Sequence, residues 1–340
     1  MVESYLVAFS SKKQPPAPPL GVVASITTGF DVVNKRLELI VLPLALDLFL
    51  WLGPRLSIKP LVAEMVALLS APPGDDSAAL AQALAAWRQL LTEQGERFNL
   101  FSSLSTSPLG VPSVMAGRGA AGGPLDAPLV WPVDDPLVYF FCFGVLILLG
   151  LLLGALYFGG IAQQVRDARL DWSALFRQVW GDWAWMTALA FIALAVLVMM
   201  GGPVLVLSLI FAIISPALGS VAAVLGLSVI VWVMIFGGFT LPGLLLQRRG
   251  LLGALWDSLR LVQSSLPQTA GLFATTTLLN FGLSLLWNLP ADDSWFLGVG
   301  LAGHALVSTA LAAALFVFYK DRYRFWMETQ QALSEQAARA

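Results

Sequence analysis

The sequence predicts an all-α protein: a six-span transmembrane helical bundle with interfacial amphipathic helices and a helical extracytoplasmic insertion. Three observations lead there. Of 340 residues, 58% are hydrophobic and 12% charged, with mean hydropathy +0.79. A soluble domain carries roughly 25% charged residues, so the apolar excess has to face lipid. Apolar runs of helical length recur along the chain, and no charged residue stands between Asp182 and Arg248.

Composition also excludes function classes. A net charge of -2 and a pI near 5.4 argue against a nucleic-acid partner, which would need a basic field. Cys142 is the only cysteine and His304 the only histidine. Intramolecular disulfides, cysteine metal clusters and multi-histidine metal sites are therefore ruled out, and any Ser-His-Asp site would have to use His304. Nothing in the sequence calls for a cofactor.

Residues 1–19, with Lys12-Lys13 and a proline-rich run, read as a flexible cytoplasmic tail, since the apolar part is too short for a signal-peptide core. Leu20 to Asn34 places Val22, Val23, Ile26, Phe30 and Val33 at helical spacing among Ser25, Thr27, Thr28 and Asp31. That pattern predicts an amphipathic helix lying at the interface. The first span is Leu37–Leu52, about 16 residues or ~24 Å, short of the ~30 Å hydrocarbon core. Residues 54–136 form the insertion. It has helices over 57–70 and from the Asp75-Asp76-Ser77 cap to about Phe98, then a Ser-, Gly- and Pro-rich stretch that reads as an ordinary mobile loop.

The second span is Leu137–Gly159, where Gly150 and Gly154 make a small-residue face suited to close approach by another helix. Ile161–Trp180 is a second amphipathic stretch. The charge-free region divides into 184–214 and 221–246, joined by a turn at 215–220. Gly201-Gly202-Pro203 is the expected kink, and a full break there would add a span. Leu251–Leu266 is a third amphipathic stretch, with Leu251, Leu252, Leu255, Leu259, Val262 and Leu266 opposed to Asp257, Ser258, Arg260 and Gln263. The fifth span is about 269–289. Pro290 to Ser294 is a solvated turn, Leu297–Tyr319 the sixth span, and 320–340 a polar cytoplasmic helix. An amphipathic stretch before each odd span suggests three copies of helix plus hairpin.

With six spans, 14 of the 19 basic residues fall on the side of the N-terminus, and the other five all lie in the 54–136 insertion. The positive-inside rule then puts both termini in the cytoplasm of a bacterial plasma-membrane protein. A seven-span count would send Lys320, Arg322 and Arg324 outside and is rejected.

The stretch Phe239-Thr240-Leu241-Pro242, Gly250 and Ala254-Leu255-Trp256-Asp257-Ser258-Leu259 resembles a group of bacterial polytopic membrane proteins. They are related to the membrane domain that accompanies glycerophosphodiester phosphodiesterases. The resemblance covers about a quarter of the chain, and this chain has Gln247-Arg248-Arg249 where an acidic residue is common. The catalytic barrel of the phosphodiesterase is absent, so the resemblance implies a fold and not that activity.

Polar groups inside a membrane are the functional candidates. Asp47 lies ~8 Å inside the outer end of span one, and Asn280 and His304 lie ~11–14 Å deep in spans five and six. The matching depths predict one polar cluster of Asp47, Asn280, His304 and Ser308. It reads as a proton or substrate site, or as a hydrogen-bonded brace. The function expected is a non-enzymatic scaffold or a component contacting membrane lipids or protein partners. The alternative is a secondary transporter or permease subunit, since no nucleotide-binding GxxxxGK[ST] motif is present.

Overall fold

The computed structural model describes residues 18–68, 78–119, 122–125 and 128–338. The expected tail at 1–17 and the Asp75-Asp76-Ser77 cap lie outside them. The chain is mostly helical. Five helices are long and apolar enough to cross a membrane: α6 (Pro136–Asp167), α7 (Trp172–Ile214), the pair α8 (Pro216–Gly237) and α9 (Thr240–Gln247), α11 (Leu266–Trp287), and α12 (Leu297–Ala337). Leu37–Leu52 is too short to join this set. It is a 3-10 turn over Leu37–Ile40 followed by α2, Val41–Leu52.

Helix α12 is the post on which the bundle is built. Two-thirds of its most apolar stretch is buried, against none of the corresponding stretch of α7. Small residues on α12 permit close neighbours: Gly300, Ala305, Ala310, Ala313 and Ala314 are all buried. Helix α6 lies parallel to α12. The Tyr157 hydroxyl donates to Thr309 Oγ1 (3.1 Å), and Lys320 Nζ donates to the Val165 carbonyl (2.7 Å).

Helix α1 (Val22–Asn34) departs from the sequence reading. It packs along α12 with Ser25, Gly29 and Val33 buried, and the Leu20 N–H donates to Asp321 at its start. Of its polar residues Ser25 is buried, its hydroxyl donating to the Gly21 carbonyl, while Thr27 and Asp31 stay exposed. With α2, whose Trp51 stands against Gly298, the 20–52 segment runs antiparallel along α12 from residue 321 to residue 298.

The other two amphipathic stretches also differ from expectation. Residues 161–180 are no single helix; they are the end of α6, a turn with Ala168 in the left-handed region, and the start of α7. Helix α10 (Leu251–Ser264) exists, but Leu252 is 80% exposed whereas Asp257 and Ser258 are buried. The three stretches are thus packed in three different ways, unlike the expected repeat. Helix α7 is continuous through Gly201-Gly202-Pro203, so no extra span arises there. Helix α12 is likewise continuous past Tyr319, and the C-terminal helix is its extension.

The insertion is not purely helical. It holds β1 (Arg55–Ser57) and β2 (Val130–Pro132), which pair in parallel, α3 (Lys59–Leu68), α4 (Ala78–Arg97) and the short α5 (Met115–Arg118). Asn99 Oδ1 accepts from both Leu56 N (3.1 Å) and Phe101 N (3.2 Å), tying the end of α4 to the strand.

Candidate functional site

The stretch after α4 decides what surrounds Asp47. Residues 99–118 fold inward rather than forming an exposed loop: Leu100 and Val111 are 0% exposed, and Val114 and Met115 are buried. The segment lies in the small-residue groove of α6. A Cβ on Gly150 would meet Thr106 Oγ1 and come within 2.6 Å of the Leu104 carbonyl oxygen, and one on Gly154 would meet the Leu109 carbonyl. Gly150 is ~21 Å along α6 from Pro136. The Gly150–Gly154 face therefore receives a loop, not the helix the sequence suggested.

Irregular backbone at such depth is tolerated only when protein groups satisfy it. Here they do. Leu109 N and Gly110 N donate to the Thr106 carbonyl, the Ser105 hydroxyl to the Val111 carbonyl, and the Thr106 hydroxyl to the Ser103 carbonyl. Asp47 completes the set. Its Oδ1 accepts from Ser113 Oγ (2.5 Å) and from Met115 N (3.0 Å), while Ser113 Oγ accepts from Ala116 N (3.0 Å). Asp47 is 0% exposed and its Oδ2 has no partner. Charge-assisted bonds of this kind contribute roughly 1.5–3 kcal/mol each, so Asp47 is a strong latch on the loop.

The expected four-residue cluster is not assembled by hydrogen bonds among the described residues. Asp47 spends Oδ1 on Ser113 and Met115, not on Asn280 or His304. Asn280 is exposed on α11. His304 is buried on α12 with Nε2 unpartnered, and the Ser308 hydroxyl donates to its carbonyl (2.7 Å), an intrahelical bond that leaves the ring untouched. Depth matching cannot see which way a side chain points, and Asp47 points to a segment that the sequence presented as a surface loop.

Above the latch, Arg118 closes the insertion onto the turn between α11 and α12. Its Nε lies 2.5 Å from Asp292 Oδ1, and its terminal nitrogens donate to Asn288 Oδ1 (3.4 Å) and the Pro290 carbonyl. Trp51 Nε1 donates to the Asp292 carbonyl (2.8 Å) and its ring meets Trp295 edge-on. Partial burial lowers the Arg55 guanidinium from its ordinary range, and the nearby Asp292 charge opposes that shift. The 290–294 turn keeps Ala291 and Asp293 exposed, as expected of a solvated turn, and is also a docking point through Asp292.

At the opposite end the α8–α9 helix is interrupted at Gly238-Phe239. Ser258 of α10 serves the interruption from both sides: its hydroxyl donates to the Phe236 carbonyl (2.7 Å) and accepts from Phe239 N (3.2 Å). Asp257 beside it pairs with Arg249 at 3.2 Å, and Arg249 stacks over Tyr323. This is why Asp257 and Ser258 are buried, while Arg260 and Gln263 stay exposed as the pattern predicts. Ser258→Ala should cost about 1–3 kcal/mol by orphaning one buried donor and one acceptor, whereas exposed Ser228→Ala should be near neutral; thermal unfolding in detergent compares them.

No protein family, curated protein or solved structure matches the chain. What the site can do rests on its geometry.

Proposed function

We propose that this chain is a non-enzymatic membrane component that contacts lipid or scaffolds partners, with six crossings and both termini in the cytoplasm. The observation that carries the reading is the sealing of Asp47. Asp47, fully buried, is closed over by residues 99–118 and held by two donors. Two shallow surface depressions lie elsewhere, between α10 and the C-terminal part of α12. The sixth crossing would be the broken pair α1–α2, whose path along α12 from residue 321 to residue 298 corresponds to ~35 Å.

Helices α7 and α8 support the lipid-facing part. They pack mainly on each other and leave Phe191 (65%), Met199 (76%) and Ile213 (86%) exposed on an apolar hairpin that suits only hydrocarbon or another apolar surface. The test is affinity capture of the full chain with mass spectrometry of co-purifying lipids and proteins. Reproducible enrichment over an unrelated polytopic protein is expected, and none would count against the reading.

A second reading, a secondary transporter or permease subunit, draws on Asp47 Oδ2 and His304 Nε2, two buried atoms without partners. It requires proton-coupled uptake in proteoliposomes that Asp47→Asn abolishes.

A further inference from the structure

We infer that the groove between α10 and the cytoplasmic extension of α12 binds the phosphate of a membrane phospholipid headgroup. The inference rests on the lipid-contacting reading above and gives it a place and a chemistry. The groove is shallow and open to its surroundings, and is lined by Arg260, Gln263, Ser264, Trp326 and Gln330. Its walls offer a guanidinium, two amides, a hydroxyl and an indole, and no carboxylate.

Charge accounting singles out Arg260. Asp257, the nearest acid on the same helix face, is 6% exposed and already paired with Arg249. On α12, Asp321 and Glu328 both face Arg324. Arg260 has no acid within ion-pair distance among the described residues; its guanidinium lies over the Trp256 ring, 5.0 Å from the centroid. That stacking holds the guanidinium plane on one side and leaves its edge donors for a ligand. A planar donor fork with uncharged hydrogen-bonding neighbours suits a phosphate oxyanion.

The placement favours a lipid over a free ion. The groove sits at the end of the bundle that carries Arg248, Arg249, Lys320, Arg322 and Arg324, and Trp256 is 57% exposed beside it. Exposed tryptophans beside basic residues are the furniture of a membrane interface, where basic pockets between helices meet headgroups.

The test is native mass spectrometry of the full chain in detergent, titrated with phosphatidylglycerol. One tightly retained lipid is expected on the wild type, with affinity lowered about 10-fold or more in Arg260→Gln. Gln263→Leu/Gln330→Leu, which keeps the charge, should weaken retention several-fold with unchanged thermal unfolding, and it decides the matter if Arg260→Gln does not fold. Equal retention by wild type and the folded variants overturns the site while leaving the broader lipid reading intact. Failure of the wild type to retain any phospholipid would remove both. Inorganic phosphate at millimolar concentration should not displace the lipid; displacement at the lipid's own affinity would make this a free-anion site and overturn the lipid assignment.

Discussion

Replacing Gly29 by alanine is expected to destabilise the protein, and by valine to prevent stable assembly of the bundle. A Cβ at this position would meet the Ala310 carbonyl oxygen and lie 2.7 Å from Ala314 N and 2.8 Å from Ala314 Cβ. Two of these are backbone atoms of the central helix, which cannot rotate away as a side chain can. Alanine gains roughly 1 kcal/mol over glycine in a helix interior. Overpacking against a rigid wall costs ~1–3 kcal/mol or more, so the clash wins. Gly201 supplies the control: it is also mid-helix, but nothing stands within 4 Å of a Cβ there. Gly201→Ala should be neutral or mildly stabilising. Equal thermal unfolding of the two alanine variants would refute the close α1–α12 packing.

Loss of the Asp47 carboxylate should release the 99–118 segment. Asp47→Ala removes the acceptor for the half-buried Ser113 Oγ and the buried Met115 N, a cost of about 2–4 kcal/mol. Limited proteolysis should then cut between Leu100 and Arg118, a stretch protected in the wild type. Asp47→Asn keeps a carbonyl acceptor and should lose only the charge-assisted part, about 1 kcal/mol. Normal abundance of Asp47→Asn together with abolished proton-coupled uptake would instead favour the transporter reading. Unchanged protease protection in Asp47→Ala would show that the latch holds nothing.

The long helices were legible because a run such as 137–159 has to be helical when lipid leaves no other partner for its backbone. The break at residues 53–54 and the hairpin turns followed from proline, glycine and charge. The 99–118 segment was not legible as bundle core. Its Gly, Ser and Pro content reads as surface, yet those residues suit a self-bonded loop that needs close approach to α6. Leu100, Val111, Val114 and Met115 were the available signal, apolar positions in a polar stretch with no period to reveal them. Amphipathic periodicity likewise marked α10 as a helix and placed Leu251, Val262, Arg260 and Gln263 correctly, but it missed Ser258 and Asp257, which are buried against specific partners that no hydrophobicity pattern can contain.

The sequence by itself determined that this is a helical protein for a membrane, where its long apolar helices lie, and that Asp47 and His304 are costly residues in apolar surroundings. Tertiary structure decided that α1 leans on α12 and that Asp47 accepts its hydrogen bonds from Ser113 and Met115. It also decided that the Gly150–Gly154 groove takes a loop in place of the expected helix. Hydropathy is a sum along the chain and is fixed by composition. The partner of a single carboxylate or a glycine depends on which distant backbone reaches it, and that is settled only when the helices pack.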